Sequence, residues 1–257
     1  MTGVPAPRDI LRDVGTCLIF YTRLPQPRID ATGPGFAAAQ WAAPLAGLAV
    51  AVAAALAGSA ALSLGVPQGP AAAIALAAAL LTTGCLHEDG LADTADGFGG
   101  GRTRERKLEI MRDSRIGTFG ACALGVTLLL RWSALAAFAT PSGLFFALLA
   151  AHGASRALVP GFMHLTPAAR KDGLSAGIGG ASPAVAGTAA AIGVLFLLPL
   201  GFAAVVFAAS GLAVWLLFWR WLSMRQIGGQ TGDVIGALQQ GAEVFVLLVA
   251  SAVLSQN

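Results

Sequence analysis

Charge is scarce in this chain. Only 11% of its 257 residues are Asp, Glu, Lys or Arg, against roughly 25% in an ordinary soluble domain. Hydrophobic residues make up 56%, and the mean hydropathy is +0.74. A water-soluble globule is excluded, because at this length the surface-to-volume ratio leaves too much apolar area outside one core. A disordered chain is excluded by the same composition. Cysteine is nearly absent: Cys17, Cys85 and Cys122 are scattered without a CxxC pair, which argues against a disulfide framework or a structural zinc site. They read as small apolar fillers. A cleavable signal peptide is also missing, since Asp9 and Asp13 interrupt the N-terminal apolar run and no cleavage site follows. No internal repeat is visible, and nothing calls for a nucleic-acid partner. What remains is an all-α integral membrane protein, a single polytopic domain over 1–257.

A bilayer span needs about 20 mostly apolar residues. Seven stretches qualify, near 36–64, 71–87, 116–139, 143–160, 184–200, 202–222 and 234–254. The second is short. Many are rich in Ala and Gly, which lets helix backbones approach closely in lipid. The 16 basic residues, Arg131 excepted, fall in or at the edge of the N-terminus, 88–115, 156–183 and 220–233. These four polar segments alternate with nearly uncharged turns at 65–70, 140–142 and 199–201. Seven spans would place all four on one side, and their Lys/Arg excess marks that side as cytoplasmic. The terminal Ser255-Gln256-Asn257 would then lie outside. Residues 1–35 form no span; Ile10, Leu11, Val14, Leu18, Ile19 and Phe20 recur helically around Arg12 and Asp13, as in a helix lying in the interface. Thr22-Arg23-Leu24-Pro25-Gln26-Pro27 must end it.

The informative stretch is 88–115, a cytoplasmic loop with a short helix. Glu88, Asp89, Asp93 and Asp96 are four of the chain's 13 acidic residues within nine positions. On a helix, Asp89, Asp93 and Asp96 lie within about 60° of one another, and like charges so placed repel. A divalent cation would repay that repulsion. Carboxylates without His or Cys spacing suit Mg²⁺, with Mn²⁺ as alternative. Glu88, about 100° off that face, is a candidate supporting or second-metal ligand. His87 precedes the block. Gly97-Phe98-Gly99-Gly100-Gly101 follows it, glycines able to present N–H groups to an anion. Arg102 comes next, then Arg104–Arg115 as a charge-laced helix with an Arg106–Glu109 pair. Arg112, Asp113 and Arg115 sit at the mouth of the third span, where arginines can fork onto phosphate oxygens.

Ionisable residues inside a membrane cost at least a few kcal/mol and need a partner or a task. Arg131, His152, Arg156 and Glu243 are such residues, and Arg131 with Glu243 is one conceivable pair. The last polar loop, Gln226–Asp233, brings Gly228 and Gly229 with Asp233 to the mouth of the seventh span. Asp233 can serve as a helix N-cap or as a metal or substrate ligand.

Thr22-Arg23-Leu24-Pro25, the block His87–Gly97, Glu109–Thr118, and Gly228-Gly229-Gln230-Thr231-Gly232-Asp233 with Glu243 together resemble the cobalamin synthase (adenosylcobinamide-GDP ribazoletransferase) family through about residues 15–250. The resemblance implies a multi-pass, Mg²⁺-dependent enzyme of the bacterial inner membrane, its active site facing the cytoplasm. Such an enzyme joins adenosylcobinamide-GDP to α-ribazole or its 5′-phosphate and releases GMP, and a homo-oligomer or a complex with other nucleotide-loop enzymes is a conceivable partnership. On this reading Asp89 and Asp93 lead the metal ligands, with Glu88 and Asp96 next. Asp96 is the expected general base and His87 the runner-up. Arg112 and Arg115 would clamp the diphosphate or GMP, and Asp113 and Asp233 would complete a second metal site. Arg23, Arg102, Asp113, Gly229, Gln230 and Thr231 are expected substrate contacts. Two rivals are a CDP-alcohol phosphotransferase acting on lipid and a secondary transporter; acids gathered in one loop, rather than at mid-bilayer, favour an enzyme.

Overall fold

The computed structural model describes residues 7–25, 35–170 and 179–254. Gln26 and Pro27 of the expected helix stop, Arg28, Lys171, and the C-terminal Ser255-Gln256-Asn257 lie outside the described residues. Helices carry the whole architecture, and among the described residues no strand forms. The helices are α1 (Pro7–Tyr21), α2 (Phe36–Ala39), α3 (Ala43–Ser63), α4 (Gln68–Thr83), α5 (Leu86–Gly100), α6 (Arg104–Ile110), α7 (Thr118–Leu135), α8 (Pro141–Leu165), α9 (Pro183–Leu197), α10 (Phe202–Ile227) and α11 (Gly232–Leu254). A 3₁₀ turn, Gln40–Ala42, joins α2 to α3.

Six stretches are long and apolar enough to cross a membrane: Phe36–Ser63 (α2–α3), Thr118–Leu135, Pro141–Leu165, Pro183–Leu200, Phe202–Ile227 and Gly232–Leu254. The chain is a multi-pass membrane protein. The expected short span over 71–87 corresponds to α4, which with α5 forms a bent pair and makes seven spans if that pair is counted as one. α4 stops at Thr83, and α5 leaves it at 87°. The break is a pair of left-handed residues, Gly84 (φ 62°) and Cys85 (φ 58°), whose N–H groups donate back to the carbonyls of Leu81 and Leu80. Glycine adopts this conformation freely, whereas a residue with a Cβ pays about 1–2 kcal/mol. The turn thus carries the acidic block out of line with α4, onto a helix of its own.

α8 is the central pole. It packs on α3, α9 and α11, while α3 also holds α4. Ala and Gly make this possible: Gly47 lies so close to α8 that a Cβ there would meet the His152 carbonyl oxygen at 2.2 Å. α10 is peripheral, with Phe202, Phe207, Val214, Leu217 and Trp221 exposed as a lipid-facing surface should be. Its inner face is stapled to α11 by the indole N–H groups of Trp215 and Trp219, which donate to the carbonyls of Leu238 and Val234 at 2.9 and 2.8 Å. α5 lies against α11 and α7.

The N-terminal helix ends at Tyr21, as the Thr22–Pro25 stop requires. Its buried side faces protein: Cys17 and Tyr21 pack with Ala39, Ala42, Ala43 and Ala46. Of the cysteines only Cys17 is a buried filler; Cys85 and Cys122 are exposed, which corrects the uniform reading. The expected helix Arg104–Arg115 is also shorter. It ends at Ile110, so Arg112, Asp113 and Arg115 lie in an irregular link before α7.

Candidate active site

α5 fans its acids in different directions. Asp89 is exposed and Asp93 half-buried. Asp96 turns to α7 instead: its two carboxylate oxygens accept the backbone N–H groups of Gly117 (2.7 Å) and Gly120 (2.9 Å). That is favourable, because the first turn of a helix has unpaired donors and a positive dipole end. Asp96 lines neither cavity beside Asp89, so the structure does not set it where the expected general base would stand; its carboxylate anchors α7.

Glu88 points into the bundle. Its Oε1 is 2.7 Å from Arg131 Nη1 and accepts Gln240 Nε2 at 3.2 Å. Arg131 reaches Glu243 through its other terminal nitrogen at 2.7 Å, the pair anticipated from composition. Glu243 also meets His152 Nδ1 at 3.0 Å, Gln239 Nε2 at 2.7 Å and Arg156 Nη1 at 3.8 Å. All of these side chains are buried. Glu88 therefore serves through Oε1 as a counter-ion to an intramembrane arginine, while its Oε2 is buried without a protein partner among the described residues. The cluster ties α5, α7, α8 and α11 together.

The glycines after the acids do not form an anion cradle. α5 runs through Gly100, so their N–H groups belong to the helix. Gly97 gives room to Met111, whose Cγ would lie 2.4 Å from a Cβ there. Arg115 and Asp113 are spent on each other through a fork of 2.6 and 3.0 Å on the exposed link, and the hydrogen bonds from Arg115 hold the Asp113 carboxyl down at about 2. Asp113 is thus no second-metal ligand here and Arg115 no phosphate clamp. Arg102 is exposed in the turn between α5 and α6. Arg106 pairs with Glu109 at 2.8 Å, as expected.

The loop before α11 is held at close quarters. Gln230 N–H donates to the Pro167 carbonyl and Ala169 N–H to the Gln230 carbonyl, both at 2.8 Å, an isolated parallel bridge of Ala168 with Gln230. Gly229 permits it, since a Cβ would stand 2.4 Å from the Pro167 carbonyl oxygen. Thr231 caps α11 by accepting Val234 N–H at 3.3 Å. This frees Asp233, which is not the N-cap, to pair with Arg170 at 3.2 Å. Gly90 of α5 lies directly on this loop, and a Cβ there would meet the Asp233 backbone at 2.8 Å.

Three cavities open around these groups. The first, about 320 Å³, lies between α1, α5, α8 and α11, with His87, Asp89, Arg170, Gln230, Thr231 and Asp233 on its polar side. The second, about 270 Å³, holds Glu88, Asp89 and Asp93 beside Ser114. The third, about 540 Å³, is lined by Arg104, Arg112 and Arg170 with Glu105 and Glu109. Asp89 is a wall of the first two, and Arg170 of the first and third. Burial, reinforced by the charges of Asp89 and Asp233 and then Asp96, pushes the Asp93 carboxyl up to about 7. Such a group accepts a proton or a cation readily. Among the described residues no three His, Cys, Asp or Glu side chains are drawn up close enough to form a metal cage.

Arg23 stands at the α4–α5 turn, its N–H donating to the Thr82 carbonyl at 2.7 Å and its side chain filling the space a Cβ on Gly84 would take. It lines none of the three cavities. Sequence reasoning missed Arg170, Arg104, Tyr21 and Phe36. Arg104 bonds to the carbonyls of Ile227 and Ala169, joining three polar segments. No spacing announces these residues, because their neighbours in the site come from distant loops.

A family model described as cobalamin-5-phosphate synthase matches residues 13–251. The chain is similar to proteins named adenosylcobinamide-GDP ribazoletransferase: 54% identical to that of Mesorhizobium japonicum, covering 97% of this chain and 96% of the relative. It is 50% identical to that of Bradyrhizobium diazoefficiens, covering 97% of each, and 46% identical to that of Azorhizobium caulinodans, covering 93% and 95%. No solved structure matches.

Proposed function

The chain belongs to the cobalamin-5-phosphate synthase family, and from that premise we propose how its residues share the work. It is a transferase of cobalamin biosynthesis that joins adenosylcobinamide-GDP to α-ribazole. A ribose hydroxyl attacks the corrinoid-side phosphorus of the diphosphate, that P–O bond to the GMP phosphate breaks, and GMP leaves. The hydroxyl must lose a proton, the phosphorus must be held in line with the attacking oxygen, and the anionic oxygens must be neutralised.

Asp89 carries the assignment, because it is the wall common to an apolar-sided cavity and an acidic one. Asp89 and Asp93, with Asp233 across the first cavity, are all-oxygen donors and fit Mg²⁺, an ion typically bound by one or two carboxylates plus substrate phosphates rather than by a protein cage. When bound, Mg²⁺ would supply the charge neutralisation that a diphosphate under attack requires. His87 takes the hydroxyl proton: both its ring nitrogens are buried without a protein partner among the described residues, and it lines the same cavity as Asp89. Arg170, on the wall between the first and third cavities, steadies Asp233 and faces the departing phosphate. Arg112 and Arg104 give the third cavity the positive charge that suits GMP.

The site faces the cytoplasm from the inner membrane on this reading. Support comes from Arg104 and Gln230, which draw the polar segments 88–115, 156–183 and 220–233 to one end of the bundle, where Lys/Arg excess belongs on the cytoplasmic side. The test is GMP release by detergent-purified protein given adenosylcobinamide-GDP and α-ribazole, with chromatography of the corrinoid product. Loss of both products in Asp89→Asn is expected. Turnover of a CDP-lipid instead would replace the assignment with the lipid-phosphotransferase alternative.

A further inference from the structure

Resting on that transfer reading, we propose that the 320 Å³ cavity between α1, α5, α8 and α11 is the acceptor site, taking the flat base of α-ribazole against its apolar side and directing the ribose toward Asp89 and Asp233. The cavity is two-sided. Phe20, Phe36, Val159, Met163 and Ile235 make one side, and the polar groups described above make the other. Phe20 and Phe36 meet edge to face at 4.6 Å between ring centres. Tyr21 stacks on His87 at 5.7 Å and 8°, and its hydroxyl is fixed by donating to Gln40 Oε1 at 2.6 Å. These rings are pre-set for a planar guest, which prefers offset or edge contacts with such faces.

Two buried polar groups point to an occupant. His87 is 3% exposed and Gln230 4% exposed; neither ring nitrogen of His87 nor Oε1 of Gln230 has a protein partner among the described residues. Leaving a polar group so costs about 1–3 kcal/mol, and ribose hydroxyls would satisfy them. Size and charge then select among the reactants. Ligand cavities run from about 300 to 1,000 Å³, so this one holds a nucleoside but not a corrinoid. Charge sets the diphosphate at the polar residues of this cavity, Asp89, Asp233 and Arg170, and leaves its apolar residues to an uncharged group. Guanine is unsuited to them, because its edge offers several donors and acceptors to an apolar side that cannot answer them. A planar base with fewer polar edge groups than guanine loses less there.

The helix α1 gains a function from this. Phe20 and Tyr21 place it as a wall of the acceptor site, so the segment before the first span shapes specificity.

The experiment uses the full chain in nanodiscs, with Val159→Phe to fill the apolar side and Phe36→Ala to empty it. Burial of an aromatic surface implies that KM for α-ribazole rises about tenfold or more, while KM for adenosylcobinamide-GDP stays within about twofold and kcat changes little. Equilibrium dialysis of labelled α-ribazole, without corrinoid, should show the same loss. If KM for adenosylcobinamide-GDP rises instead, the guanosine end occupies the cavity and the proposal is overturned; it is equally overturned if folded variants leave both KM values unchanged. Met163→Phe, on the same wall, replaces either variant if thermal unfolding shows it misfolded. Should wild-type protein bind α-ribazole but release no GMP, the transfer reading fails while the cavity assignment stands.

Discussion

At the scale of single residues, the aspartates of α5 are not equivalent although they share one helical face. Asp93 is pressed by burial and by Asp89 and Asp233, whereas Asp96 accepts hydrogen bonds from two α7 amides. Asp93→Asn should lower GMP release by at least about 10²-fold, the loss expected when charge stabilisation at a transition state is removed, with the protein still recovered from membranes. Asp96→Asn should act differently, through thermal stability, because an amide keeps only one good acceptor for two donors; a fall in melting temperature larger than that of Asp93→Asn is the reading to look for. Cys85 offers a third test. Its left-handed backbone favours glycine, so Cys85→Gly should retain activity and gain about 1 kcal/mol in unfolding stability. The carboxylate cluster was legible in the sequence because four acids within nine positions have no structural excuse. The separate fates of those acids were not, since each depends on which helix lies opposite.

Among elements, the decisive contact is α5 against α7 and α11, and a buried charge cluster that reaches α8 holds it. Arg131, Arg156 and His152 gather around Glu243, with Glu88 completing the set from α5. Removing one member leaves a buried arginine uncompensated, so Glu243→Gln should destabilise the fold by about 3–5 kcal/mol, measured by denaturant unfolding in detergent. A well-packed double replacement, Arg131→Met with Glu88→Met, should cost less than either single change. The broken α4–α5 element escaped the sequence reading for a physical reason. Hydropathy runs continuously from 71 to 87, and only two residues in left-handed conformation turn the chain. The short helix α6 was overextended likewise: charges at Arg112–Arg115 continue the helical pattern, but Arg115 closes on Asp113 and offers the backbone an alternative.

For the whole molecule, six apolar spans and one helix turned at 87° place three cavities side by side at one end. EDTA should stop transfer, and added Mg²⁺ should restore it; activity indifferent to chelation would remove the cation from the scheme. Single cysteines at Arg102 or Arg112, both exposed, in a background lacking the three native ones, should react with an impermeant maleimide in inverted vesicles and not in intact cells.

Composition and charge placement alone determined that this chain is a multi-pass helical membrane protein, and the motif blocks alone pointed to the family. Both are properties of local sequence, read by the bilayer through hydrophobicity and by phosphate chemistry through carboxylates and arginines. Only the tertiary structure decided that Arg170, Tyr21 and Phe36 line the cavity beside Asp89, that Glu88 reaches Arg131 and that Asp96 turns to α7. Those choices are made where helices distant in sequence meet, and a side chain's charge or shape acquires its role from the partner that packing sets before it.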